Sequence, residues 1–210
     1  MKKHILSQDP LIYYVDNVLN KQECYHIIKI TSNKLKPALV SGNSRGFLST
    51  GRTGTNCWLS HKNDEITFNI ALKITNLVNK PLENAENFQV LHYSTNQKYE
   101  YHYDAFPIDN SEKAKRCLKK GGQRLLTALI YLNNVTKGGE TEFKNLNIKI
   151  TPKIGRILVF ENTLQNSLNK HPDSLHSGKQ VIEGEKYVIN LWFRHLPTKE
   201  IFNIEKYLSI

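Results

Sequence analysis

Long hydrophobic runs are missing from this chain. No stretch approaches the ~20 consecutive apolar residues of a membrane-spanning helix, so no transmembrane segment is expected. The start, Met1-Lys2-Lys3-His4-Ile5-Leu6, is basic, but Ser7, Gln8, Asp9 and Pro10 interrupt it before an apolar region can form, and no secretory signal is expected. Cysteine is scarce: Cys24, Cys57 and Cys117 are widely spaced and in no paired motif. They fit free thiols in the cytoplasm or another reducing compartment better than a disulfide framework or a zinc site. Acidic residues are outnumbered, 19 against 29 Lys and Arg, for a net charge of +10. Such an excess could meet nucleic acid or an anionic surface. The lysines are spread along the chain, however, with one dense cluster at 113–120. Dispersed lysines make a solubilising surface, and neither a nucleic-acid nor a membrane partner is favoured.

What remains is an ordinary globular composition. With 210 residues, 39% hydrophobic content, ten Tyr, eight Phe and two Trp, the chain can bury a sizeable core. One domain over 1–210 is expected, with N-terminal helical support over 1–85, a core over 86–196 and a short tail over 197–210. Residues 10–18 read as an apolar strand. Asn20 followed by Glu23 reads as a capping box, with helical spacing through Cys24, Ile27, Ile28 and Leu35 to about Lys36, where Pro37 ends it. Residues 40–56 are rich in Ser, Gly, Asn, Thr and Arg and predict a loop or a hairpin with a mobile tip. A second helix is expected from Asp64 or Glu65 to about Asn79, with Ile66, Ile70, Ile74 and Leu77 as its core stripe.

From Phe88 the period changes to that of short strands: 88–94, 99–104, 125–132, 140–143, 148–151, 156–161, 175–181 and 186–194. Gly138-Gly139 and Gly184 mark turns between them. This spacing predicts a jelly roll or barrel rather than βαβ units. The lysine-rich run 111–122 interrupts the strands as a polar insertion or short helix. The fold expected is mainly β with flanking helices: a double-stranded β-helix (jelly-roll) core with the N-terminal helices packed on one sheet.

Within this pattern, Tyr99-Glu100-Tyr101-His102-Tyr103-Asp104 carries an imidazole and a carboxylate two residues apart, which an extended chain projects to one face. A third ligand on another strand would complete the two-histidine, one-carboxylate set of non-haem Fe(II) oxygenases. His176 is the candidate and His171, in the preceding loop, its competitor. Strand 186–194 alternates an apolar face (Tyr187, Ile189, Leu191, Phe193) with a mixed one (Lys186, Val188, Asn190, Trp192, Arg194). A lysine opening the interior face must meet an anion, because a buried unpaired ammonium is costly. A dicarboxylate with its other end on the metal would supply one.

The chain resembles the Fe(II)- and 2-oxoglutarate-dependent prolyl 4-hydroxylases, especially the compact soluble ones of bacteria, algae and large viruses, from about Pro10 to His195. Segments 89–93, 97–104, 127–133 with Gly138-Gly139-Glu140-Thr141, 174–178 and 184–192 carry the likeness. It implies that His102, Asp104 and His176 hold Fe(II), and that Lys186 pairs with the distal carboxylate of 2-oxoglutarate, with the hydroxyls of Tyr93 and Thr127 beside it. It implies that Tyr99, Arg124 and Trp192 line the site of the target proline, and that Arg52 sits in a loop closing over the peptide. Gly54 stands where the family's Arg-Thr-Ser would put serine, which bears on peptide contacts. Dioxygen as cosubstrate, ascorbate as reductant, a proline-containing protein or peptide as substrate, and a monomer or homodimer are also implied. Strict alternation sends Tyr99 to the face opposite His102, so a bulge is needed for both to serve one pocket. The same chemistry on a lysyl residue, a free amino acid or alkylated nucleic acid remains open, as does a barrel that only binds. Trp192 as plain core and Arg124 as a surface ion-pair residue are the bland readings of those two positions.

Overall fold

The computed structural model of the protein describes residues 2–42 and 46–204. In chain order it has strands β1 (His4–Gln8) and β2 (Leu11–Val15), helix α1 (Lys21–Thr31), strands β3 (Lys36–Pro37), β4 (Val40–Ser41), β5 (Gly46–Phe47) and β6 (Thr55–Leu59), and helix α2 (Glu65–Val78). Strands β7 (Phe88–Tyr93) and β8 (Tyr99–His102) lead to a short helix α3 (Glu112–Leu118). Then come β9 (Arg124–Tyr131), β10 (Lys137–Gly138), β11 (Thr141–Phe143), β12 (Ile148–Ile150) and β13 (Ile157–Glu161). The last strands are β14 (His176–Gly178), β15 (Val181–Glu183) and β16 (Lys186–Arg194).

An eight-stranded sheet runs in the order β1-β2-β13-β9-β16-β7-β6-β3, and a four-stranded sheet in the order β12-β11-β14-β8. Strand parity sorts their side chains into two layers. Ala128, Ile130, Val159, Ile189, Leu191 and Phe193 pack with Cys24 and Ile27 of α1 and Ile70 and Ile74 of α2. Their neighbours Leu129, Tyr131, Leu158, Phe160 and Val188 turn the other way and pack with Phe143 and Ile150 of the smaller sheet. The result is a jelly roll with both helices on the outer face of the larger sheet.

The helix ends follow local chemistry. Asn20 accepts from Glu23 N at 2.9 Å while Glu23 accepts from Asn20 N at 2.9 Å, which closes the capping box. Asp64 caps α2 through Thr67 N at 2.8 Å, and Asn79 ends it in the left-handed region at φ +51°.

Several expectations change. Helix α1 stops at Thr31, not Lys36: the chain tightens to a 3₁₀ turn over Ser32–Lys34 and then runs as edge strand β3, paired with β6. Pro37 sits in that edge strand, where its missing N–H costs no ladder bond. Ile66 lies outside the buried stripe of α2 and is 41% exposed; Thr67, Ile70, Ala71, Ile74 and Thr75 form it instead. The single strand expected over 175–181 is two, β14 and β15, which join different sheets. Strand β1 had no sequence signal of its own and exists by pairing with β2. The larger sheet takes β1, β2, β3 and β6 from the first 59 residues, so residue 86 divides no layer of the structure. The tip of the β4–β5 hairpin, within the loop expected over 40–56, lies outside the described residues.

Of the two readings of run 111–122, polar insertion or short helix, the structure has the helix, α3, capped by Ser111 on Ala114 N at 3.2 Å. It buries Ala114 and Leu118 against Phe202 and Ile204 of the C-terminal segment.

Candidate active site

Strand β8 pairs with β14 so that His102 faces His176, while Tyr99 faces Gly178. Three steps on β8 thus match two on β14, and the extra residue is the bulge that alternation required. It turns Tyr99 to the side of His102, whose ring it stacks on at 3.6 Å between centroids. Asp104 follows just beyond the strand, and His102, Asp104 and His176 bring their ligand atoms within 4.8 Å of one another. His171 is not among them: its Nδ1 accepts from Asp173 N, and its Nε2 lies 3.2 Å from Asp9.

The two imidazoles are oriented alike. His102 Nδ1 lies 2.8 Å from Glu100 O and His176 Nδ1 lies 2.9 Å from Ser174 O. A carbonyl can only accept, so both Nδ1 atoms carry the proton and both Nε2 lone pairs are free. Those Nε2 atoms converge on Asp104, at 3.7 Å from Oδ1 and 3.8 Å from Oδ2. Burial, with His176 alongside, pushes the His102 pKa well below the usual imidazole range. Burial alone would raise Asp104, but the charges around it, with Arg124 among them, and the Trp192 indole facing it hold its pKa below the usual carboxylate range. Two neutral imidazoles and a carboxylate at this spacing fit a divalent cation of the Fe(II) type.

Behind Asp104 stands a relay. Thr127 donates to Asp104 Oδ2 at 2.7 Å, and Asn162 donates to Thr127 Oγ1 at 2.9 Å, with both residues fully buried. This corrects the place expected for Thr127. It pairs with Trp192, six positions along β16 from Lys186 and so roughly 20 Å away, and its hydroxyl serves the carboxylate.

Lys186, at the start of β16, is 3% exposed and forms no ion pair among the described residues. Its register partner is Tyr93. Its Nζ lies 5.9 Å from the Tyr93 ring and 5.6 Å from that of Tyr131, which donates to Thr141 Oγ1 at 2.8 Å. Burial, with Glu140 opposing, pushes the Lys186 pKa down to about 8. A Cβ on Gly178 would stand 3.8 Å from Nζ. Gly178 is two residues from His176 on β14, roughly 6.6 Å, which is a separation that a five-carbon dicarboxylate can span. A buried ammonium without a carboxylate, this near the three ligands, fits 2-oxoglutarate.

In front of the site opens a cleft of ≈ 950 Å³ whose walls include Trp58, Tyr99, Tyr103, Phe106, Arg124 and Trp192. The Arg124 guanidinium stacks on Trp192 at 3.6 Å, and it gives Nε and Nη2 to Glu86 at 2.6 and 2.8 Å. Arg124 is therefore a partly buried ion-pair residue as well as a wall of the cleft, with two donors already committed. The Trp192 indole N–H is buried and faces the Asp104 carboxylate, short of a full hydrogen bond. Arg52 is part of the wall rather than of a free loop. It donates to Leu39 O at 2.9 Å and Gln89 Oε1 at 3.1 Å and lies over Tyr99 at 4.6 Å. Gln89 is the register partner of both Trp58 and Asn190, whose Oδ1 is buried without a donor.

Sequence reasoning missed Tyr131, Asn162, Gln89 and the two carbonyls that set the histidine tautomers. Tyr131, Asn162 and Gln89 act across strands, where only the register reveals them, whereas the Glu100 and Ser174 carbonyls lie two residues from the imidazoles they hold.

The chain belongs to the 2OG-Fe(II) oxygenase superfamily, whose sequence model matches residues 88–194. Within it the similar proteins are prolyl 4-hydroxylases. An Acanthamoeba polyphaga mimivirus protein named "Putative prolyl 4-hydroxylase" is 40% identical over 183 residues, covering 87% of this chain and 73% of that one. Prolyl 4-hydroxylase 2 of Arabidopsis thaliana is 33% identical, covering 89% and 68%. The viral collagen prolyl hydroxylase of Paramecium Bursaria Chlorella virus-1, solved with 2-oxoglutarate, superposes with a TM-score of 0.71 at 28% identity, covering 88% of this chain and 96% of that one. No helix of the described residues is long and apolar enough to cross a membrane.

Proposed function

We propose that this protein hydroxylates prolyl residues within a polypeptide, with Fe(II) on His102, Asp104 and His176 and 2-oxoglutarate on Lys186. The observation that carries this reading is the convergence of two Nε2 lone pairs and one carboxylate in front of a buried, unpaired lysine. When bound, the iron supplies oxidative decarboxylation of 2-oxoglutarate to succinate and CO2, coupled to hydroxylation of the substrate by dioxygen.

The chain's own groups orient and exclude. Thr127 and Asn162 fix Asp104 so that both carboxylate oxygens keep their direction. The Glu100 and Ser174 carbonyls hold the histidines in the binding tautomer. Lys186 supplies one positive charge in a dry pocket of tyrosines, which favours the dicarboxylate over 2-oxo acids whose distal end is uncharged. A proline ring has no charge and little hydrogen-bonding capacity, and the Trp192 face beside Asp104 suits it. The unsatisfied Asn190 Oδ1 suits a peptide N–H beside the proline, which a free amino acid would lack. The cleft is also much larger than a single proline.

The test is incubation with Fe(II), 2-oxoglutarate, ascorbate as reductant and proline-containing peptides, read by mass spectrometry. A gain of one oxygen on proline is expected. Turnover of free proline, or of a methylated oligonucleotide with no peptide modified, would contradict the substrate class while leaving the metal site intact.

A further inference from the structure

We propose that the preferred substrate is an acidic peptide that runs beyond the target proline into a second groove; this rests on the prolyl reading above. The catalytic cleft does not end at its own wall. Leu39, Trp58 and Gln89 line it and also line an adjoining groove of ≈ 610 Å³, whose far side is Lys34, Lys36, Pro37 and Asn56. Trp58 stands at the junction, 53% exposed and 6.1 Å from Trp192, so one continuous surface leads from the site of chemistry to the two lysines. An extended or polyproline II chain advances about 3.1 Å per residue and is the shape such a trough accepts.

Charge decides what that chain carries. Each carboxylate on the cleft wall is already occupied. Glu86 is held by Arg124 and Arg194, Glu100 by Lys98, and Asp104 by Thr127 at the metal site. The second groove has no acidic side chain in its lining. Lys34 and Lys36 form no ion pair among the described residues, and neither do Lys113 and Lys170, which line the catalytic cleft itself. Asp109 feels Lys113 but makes no ion pair with it. Lys170 is set over the Tyr103 ring at 4.4 Å, one residue from both His102 and Asp104 in sequence, which keeps its charge at the mouth of the site. Solvated lysines are common on a chain of net charge +10, but these lie along a groove whose two acids outside the metal site, Glu86 and Glu100, are already paired with cations. A peptide with Asp or Glu flanking the proline would meet uncommitted cations both in the cleft and in the adjoining groove.

The experiment compares hydroxylation of three peptides of equal length: a target proline with neutral flanks, with acidic flanks, and with basic flanks. Wild-type protein is measured beside a Lys34→Gln/Lys36→Gln variant and a Lys113→Gln/Lys170→Gln variant. Exposed ion pairs are individually weak, so a five- to tenfold lower KM for the acidic peptide is expected at low salt, shrinking toward parity at high salt. Each double variant should bring the KM for the acidic peptide closer to that for the neutral one, and a peptide that lacks the acid facing the substituted lysines should not respond to the substitution. Equal KM values for acidic and neutral peptides, or a preference that survives both double variants, would overturn the inference while hydroxylation itself upholds the prolyl reading. Failure of all three peptides would overturn both. A single-stranded oligonucleotide that blocks neutral and acidic peptides alike, and more strongly than an acidic peptide without proline, would show that the basic groove serves nucleic acid instead.

Discussion

Gly54 and Tyr93 compete for the same space. A Cβ on Gly54 would stand 2.6 Å from Cδ1 and Cε1 of the Tyr93 ring and 2.7 Å from His92 O. The glycine that departs from the family's serine is thus tied to the position of a phenol beside Lys186, on the cosubstrate side of the site. Gly54→Ser should push Tyr93 from its place, cost about 1–3 kcal/mol of stability and raise the KM for 2-oxoglutarate more than that for peptide. Thermal unfolding and the two KM values check this; an effect confined to the peptide KM would assign Gly54 to the substrate loop.

Thr127→Val keeps the shape and removes the hydroxyl between Asn162 and Asp104. Metal affinity should fall by roughly 10–100-fold, as for lost groups that support a metal ligand. Titration with Mn(II) or Fe(II) under anaerobic conditions measures it. Unchanged affinity would mean that Asp104 needs no such support.

Lys186→Ala should raise the 2-oxoglutarate requirement more than a hundredfold, since losing one partner of a buried charge pair costs about 3–5 kcal/mol. The pH dependence has a definite sign. The protonated amine is the binding form, and in the free site its pKa is pushed down to about 8. Affinity should therefore hold below pH 8 and weaken by up to about tenfold per unit as pH rises through it. Direct binding measurements across this window, flat in the Lys186→Ala variant, are the check.

Glu86 joins Arg124 and Arg194 beneath the cleft wall. Glu86→Ala leaves two guanidinium groups without their carboxylate, and about 3 kcal/mol should be lost, the lower end for a broken buried pair because some water still reaches it. Denaturant unfolding gives the value. If Arg124 instead acts mainly through the substrate, stability will hold and peptide KM alone will rise.

How far the sequence could be read follows from the range of each signal. The i, i+2 spacing of His102 and Asp104, the Asn20–Glu23 box and the two faces of strand 186–194 are local patterns. Local patterns survive folding unless tertiary pairing overrides them. Override explains the early end of α1, where Lys36 and Pro37 are drawn into pairing with β6. It also explains the split at 178–181, where β14 and β15 belong to different sheets. Burial of Ile66 failed because four-residue steps drift around a helix of 3.6 residues per turn, leaving the first of Ile66, Ile70 and Ile74 outside. Asn162 and Tyr131 contact the site only through strand register, while the Glu100 and Ser174 carbonyls sit two residues before the histidines they orient, a backbone contact that residue types do not encode. Thr127 shows the same limit in reverse, since its hydroxyl could be named from the sequence but not its partner.

The most direct test of the central claim uses dioxygen enriched in the heavy isotope with Fe(II), 2-oxoglutarate and a peptide that contains one proline. Wild-type protein should yield succinate and hydroxylated peptide in equal amounts, with one heavy oxygen in the succinate, and His176→Ala should yield neither. Hydroxylated peptide without succinate, unlabelled succinate, or full turnover by His176→Ala would contradict the account.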